Sequence, residues 1–207
     1  SSFFKSVEKD KDYSKIMFFY VKLALVPIIL QLLFNILISI NQQLASIKTL
    51  INLILSSIIS IAFAFLIPFI IAAIVHLGVL IFKGKNGYLN SYKSISYSLS
   101  INLIYSMLSA VVLGITNLVF PLNIDPSNIQ ALLSNSTFVF SIIFSLAIFI
   151  ISLVHTLITA TIGIAKFQKM TKIRAFISII LIPIILMIIS LFLGVLAIKS
   201  LYQIPIA

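Results

Sequence analysis

Cysteine is absent from the chain, which excludes disulfides, thiolate metal sites and thiol catalysis. Acidic residues are almost absent as well, with four Asp and Glu against fourteen Lys and Arg and a formal charge of +10. Glu8, Asp10 and Asp12 precede the first apolar run, and Asp125 lies in a connection, so no carboxylate falls inside an apolar stretch. Ion-coupled carriers usually keep an intramembrane carboxylate for the coupling ion, and this omission argues against one. No G-x-S-x-G turn occurs, which leaves an intramembrane hydrolase without a nucleophile elbow. With two histidines and no Cys, Asp or Glu near either, His76 and His155 cannot complete a metal site and read as packing or interfacial residues. Linkers rich in Pro, Gly or Ser and internal repeats are missing too, so residues 1–207 read as one domain. No cofactor is implied, and the chain does not read as an enzyme.

What is present is apolar. The sequence is 61% hydrophobic and only 9% charged, against about 25% charged in soluble domains. Its mean hydropathy is +1.26. Five runs are long enough to cross a bilayer core, which needs about 20 apolar residues: 16–40, 50–82, 95–120, 137–165 and 174–198. The first exceeds the roughly 7 to 15 residues of a signal-peptide core and is expected to stay in the mature protein. The second would reach about 50 Å against a core of about 30 Å. Pro68 within it removes a backbone hydrogen bond, so a kink or tilt is expected.

Basic residues alternate between the connections. Five fall from the N-terminus through Lys22, three are Lys83, Lys85 and Lys93, and four are Lys166, Lys169, Lys172 and Arg174; only Lys48 and Lys199 fall on the other side. This asymmetry predicts an all-α integral membrane protein, a five-span helix bundle with its N-terminus inside and its C-terminus outside. Such charge suits anionic lipid rather than nucleic acid.

The most polar interval is HLGVLIFKGKNGYLNSYKSISYS, residues 76–98. Asn86-Gly87 is a strong turn signal, and Asn90 or Ser91 is expected to cap the helix that follows. Tyr88, Tyr92, Ile95 and Leu99 share one edge of that helix, while Lys85 and Lys93 are expected to reach headgroups. Lys83, Lys85, Tyr88, Tyr92, Lys93, Lys166, Lys169, Lys172 and Arg174 are therefore the candidate lipid-headgroup or partner-binding residues. In the third run, Ser98, Asn102, Ser106, Ala110 and Gly114 recur every fourth residue and lay a small, polar stripe along one face. Tight helix packing, a homo-oligomer seam and a water-lined path are all open to it. Thr156, Thr159, Ala160 and Gly163 give the fourth run a similar face, as do Ser190 and Gly194 the fifth. Gln31 and Asn35, one turn apart, are expected to bond to each other or to a neighbouring helix.

The same interval resembles the signature of the Yip family, the Ypt/Rab-interacting integral membrane proteins. There a His-containing helix end leads to a Gly-x-x-Gly turn, a short polar step and a Tyr before the next span. FFKS near the N-terminus and GIAKFQKMTKIRAFISIILIPII, with Ala175 after a basic loop, are similar to other parts of the family pattern. The sequence departs from it in having Lys85 directly after Gly84 and no Trp in span four. The resemblance implies five spans and a scaffold or adaptor acting through basic cytoplasmic loops. The Ile-, Lys-, Asn- and Ser-heavy composition points to the prokaryotic branch and a cytoplasmic membrane. Anionic lipids, another membrane protein or a second copy are the expected partners. The competing reading is a passive lipid or small-molecule permeation unit, or a subunit of a transport complex.

Overall fold

A computed structural model describes residues 12–43, 46–121 and 129–202. FFKS, Glu8, Asp10, Asp125 and the end of the tail lie outside the described residues. Six helices follow in order: α1 (Tyr13–Asn41), α2 (Ile47–Ile81), α3 (Tyr88–Val119), the short α4 (Ile129–Ser134), α5 (Ser136–Phe167) and α6 (Lys172–Tyr202). Five of them are long and apolar enough to cross a membrane, as the five apolar runs predict.

Small polar residues start three of these helices by satisfying otherwise unpaired N–H groups. Asp12 accepts from Ser14 N at 2.9 Å, Ser46 from Thr49 N at 3.1 Å and Asn135 from Phe138 N at 2.9 Å. The Asp12 carboxyl is held below its ordinary range chiefly by its hydrogen bonds from Ser14. Helix α3 differs from expectation. It begins at Tyr88, with Gly87 as N-cap and no side-chain cap, so neither Asn90 nor Ser91 caps it. Helix α2 runs through Pro68 as one element of 35 residues, about 50 Å by helical rise and longer than an upright crossing requires.

Helix α3 is central, packing along α1 and α5 and also touching α2, while α6 packs on α2 and α5. The buried residues gather in the half of the bundle where α2 and α5 end: Ile16, Ala72, Val75, Val79, Tyr92, Ile95, Ala160, Ile164 and Ala175 form one cluster. Glycines let the backbones approach there. A Cβ on Gly78 would overlap the Ser178 carbonyl of α6, and one on Gly163 would overlap the Ser94 hydroxyl of α3. Toward the other end α1 and α3 stay together, with Asn41 Nδ2 donating to the Leu118 carbonyl at 3.3 Å, while α2 and α6 become exposed. Ile51, Ile54, Leu55, Ile58 and Ile59 of α2 and Leu186 to Leu193 of α6 are largely exposed, a surface suited to lipid.

The small, polar stripe of α3 does not serve a single neighbour. Ser98 is buried and folds its hydroxyl onto the Ser94 carbonyl at 2.7 Å. Asn102 Oδ1 accepts from Ser152 Oγ and, at 3.2 Å, from Thr156 Oγ1, which ties α3 to α5. Ser106 bonds back to the Asn102 carbonyl at 2.9 Å. Gly114 faces α1, where an added Cβ would overlap the Phe34 ring. Ala110 lines a cavity between α1 and α3.

Candidate functional site

The loops after α2 and α5 close on each other at the well-packed end. Both helices finish alike. After α2, Lys83 N donates to Leu80 O at 3.1 Å and Gly84 N to Val79 O at 2.9 Å. After α5, Lys169 N donates to Lys166 O at 3.4 Å and Met170 N to Ala165 O at 3.0 Å. These are Schellman endings, whose turning residue takes a left-handed conformation and is usually glycine. Lysine holds that position in both, with φ 58° at Lys83 and 53° at Lys169. No glycine among the described residues has positive φ, so Asn86-Gly87 is not the left-handed turn its composition suggests. Gly84 is required for space instead, since a Cβ there would overlap the Val79 side chain and stand 3.2 Å from Gln168 Oε1.

Gln168 joins the two loops. Its side chain is fully buried. Gln168 Oε1 accepts from Asn86 N at 3.1 Å, and Nε2 donates to Gly87 O at 3.2 Å and to Ser91 Oγ at 3.0 Å. The Gln168 carbonyl accepts from Lys85 N at 3.1 Å, and Asn86 Nδ2 donates to the Phe167 carbonyl. Ser91 carries the connection to α2 through His76 Nδ1 at 2.9 Å. A buried amide with all its near partners in place fixes one relative position of the loops.

An aromatic group lies against this network. The Tyr88 hydroxyl donates to the Phe69 carbonyl at 2.8 Å, and Tyr92 stacks on Phe69 with ring centroids 4.4 Å apart. Tyr13 of α1 packs on both tyrosines, and His76 meets Tyr88 edge-on. The second histidine is also engaged, His155 Nδ1 lying 3.3 Å from the Tyr105 hydroxyl.

The candidate headgroup residues therefore divide. Lys83, Lys85, Lys169, Lys172 and Arg174 are exposed on the joined loops and the start of α6, with Lys15 exposed near the start of α1. Lys166 and Tyr88 are half-buried. Tyr92 and Lys93 are not available to headgroups, for they are 0% and 2% exposed and sit where α3 is surrounded by other helices. Both stand on the first turns of α3, where Tyr92 is covered by Phe69 of α2 and Tyr13 of α1. Gln168 is the residue that sequence reading passes over, since a lone glutamine at the end of an apolar run has no motif to mark it.

The chain matches the Yip1 domain over residues 1–194. It belongs to the Yip1 domain family. No curated protein and no solved structure matches it. In this Yip1-domain protein the polar interval 76–98 is thus the segment that Gln168, at the end of α5, holds in place, and the family assignment and the five apolar helices together make it a multi-pass membrane protein.

Proposed function

We propose that this Yip1-domain protein is a non-enzymatic membrane scaffold or adaptor that works from its basic end, against anionic lipid headgroups. The observation that carries the reading is the pinning of two loops into one unit by Gln168, with Lys83, Lys85, Lys169, Lys172 and Arg174 exposed on it or beside it. Each basic residue near an anionic surface contributes about 1 kcal/mol, so a fixed group of five favours a membrane-facing platform. The use of lysine at two left-handed positions supports the same reading, because it accepts backbone strain of about 1 to 2 kcal/mol per site while keeping charge. By its excess of Lys and Arg this end faces the cytoplasm. Another membrane protein or a second copy would dock on the same platform, and the composition favours a prokaryotic cytoplasmic membrane. Replacing Lys83, Lys85, Lys169 and Lys172 one after another by Gln, with retained phosphatidylglycerol counted by native mass spectrometry, tests the proposal. Stepwise loss is expected, and unchanged retention in the fourfold variant removes headgroup binding from this face.

A further inference from the structure

A cavity of about 360 Å³ lies between α1 and α3, beginning near the middle of both helices and extending toward the end opposite the basic platform. Pro27, Phe34, Ile38 and Leu113 give it apolar wall, but Gln31, Asn35 and Asn117 bring three carboxamides to it, with Ser106 and Ser109 beside them. None of the three carboxamides has a side-chain hydrogen bond among the described residues, and Asn117 Oδ1 is buried without a partner. Gln31 is the most exposed of the three and Asn35 is half-buried. In hydrocarbon an unpaired amide costs several kcal/mol, so groups arranged this way require something to bond to. Two further cavities, of about 320 and 410 Å³, adjoin it at Ser106, one on the side of α5 and one on the side of α2.

We infer that this cavity is a binding site for an uncharged, hydroxyl-bearing group of glycerol or monosaccharide size, supplied by a neutral lipid. Its chemistry selects for that class. The lining holds no acid and no base, so an ionic headgroup would be desolvated there without a counter-charge. Each carboxamide presents both donors and an acceptor, and the serine hydroxyls do the same. A polyol, whose hydroxyls both give and accept, satisfies them together. The apolar wall formed by Phe34, Ile38 and Leu113 suits the first methylenes of an acyl chain. Water alone would satisfy the amides too, and it is the alternative that the experiment must separate.

The test uses the full chain in phosphatidylcholine nanodiscs, with dioleoylglycerol as the lipid-borne probe and free glycerol as the soluble one. Native mass spectrometry reads the first and saturation-transfer NMR the second. Dioleoylglycerol is expected to be retained, and its acetyl ester, with the hydroxyl blocked, to be lost. Asn35→Leu should lower retention by about tenfold, the equivalent of one good hydrogen bond. Ala110→Leu, which projects into the space and keeps every amide, should lower it as well; melting temperatures near the parent's show that both variants are folded. Glycerol binding without dioleoylglycerol binding would overturn the lipid source. Binding of neither probe, or equal retention by the parent and both folded variants, would overturn the site and leave a water-filled cavity.

Discussion

Gln168 Nε2 donates to Ser91 Oγ at 3.0 Å, joining the residue that closes α5 to the first turn of α3. Gln168→Leu keeps the volume and strands the Asn86 N–H, while the Gly87 carbonyl keeps only Asn90 N and Ser91 keeps only His76. A stranded buried polar group costs about 1 to 3 kcal/mol, so the variant should melt well below the parent in detergent. Gln168→Glu is expected to melt no higher than Gln168→Leu, because a buried carboxylate is desolvated and turns one oxygen toward the Gly87 carbonyl that Nε2 now serves. Equal melting temperatures for all three proteins would show that the loops are held by other contacts.

The two Schellman lysines predict opposite movements of stability and binding. Lys169→Gly relieves a left-handed residue, which is worth about 1 kcal/mol, and removes one exposed charge. Its melting temperature should rise while its retention of phosphatidylglycerol falls. Lys169→Gln keeps the strain and loses the charge, so retention alone should drop. A loss of stability in the glycine variant would mean that the Lys169 side chain itself holds the turn.

Space rather than torsion makes Gly78 necessary. Gly78→Ala drives a Cβ into the Ser178 backbone, which no rotamer change can relieve, and overpacking of this kind costs about 1 to 3 kcal/mol. Gly87 has nothing within 4 Å of its Cβ position. Gly87→Ser should therefore be tolerated and should gain a few tenths of a kcal/mol by supplying the cap that α3 lacks. Thermal unfolding of the two variants side by side reads the contrast.

The number of membrane-length helices was legible because about 20 consecutive apolar residues have few uses other than crossing a membrane, whereas the short α4 lies in what reads as a connection. The boundary of α3 was not. Residues 88–98 read as a polar approach to a span, yet this stretch is helix and much of it is buried, because serines spend their hydroxyls on carbonyls: Ser94 on Ala160 at 3.2 Å, Ser98 on Ser94 and Ser100 on Ser96 at 2.9 Å. Hydropathy counts such a serine as a solvent-seeking group, and only the neighbouring carbonyl shows otherwise. The exposed lysines at 83, 85, 169 and 172 were legible from charge alternation. The Gln168 link was not, since it depends on two loops far apart in sequence meeting at one point. Gln31 and Asn35 were read as partners for each other or for a nearby helix, whereas the fold turns both toward a cavity.

The arrangement of the ends can be checked by labelling, since the native chain has no cysteine. Single Cys residues at Lys85 and Lys169 should react from the same side of the membrane, and one at the exposed Lys48 only from the other. By the distribution of basic residues the first pair should be cytoplasmic. Reaction of positions 48 and 85 from one side would be incompatible with α2 as a span.

Asn102 and Gly114 separate packing from permeation along α3. Gly114→Leu must displace the Phe34 ring of α1, so it should cost about 1 to 3 kcal/mol. Asn102→Leu removes the acceptor shared by Ser152 and Thr156, but both hydroxyls can turn back to carbonyls of their own helix. Interhelical hydrogen bonds in membranes average only about 0.6 kcal/mol, so this variant should melt close to the parent. If Asn102 instead lined a conducting path, proteoliposomes carrying the parent would pass a polar solute and those carrying Asn102→Leu would not. No Asn102-dependent flux is expected, because its side-chain oxygen is already taken by α5 and serves as a fastening between helices. A solute flux that vanishes in the stable Asn102→Leu protein would make the polar face of α3 a pathway.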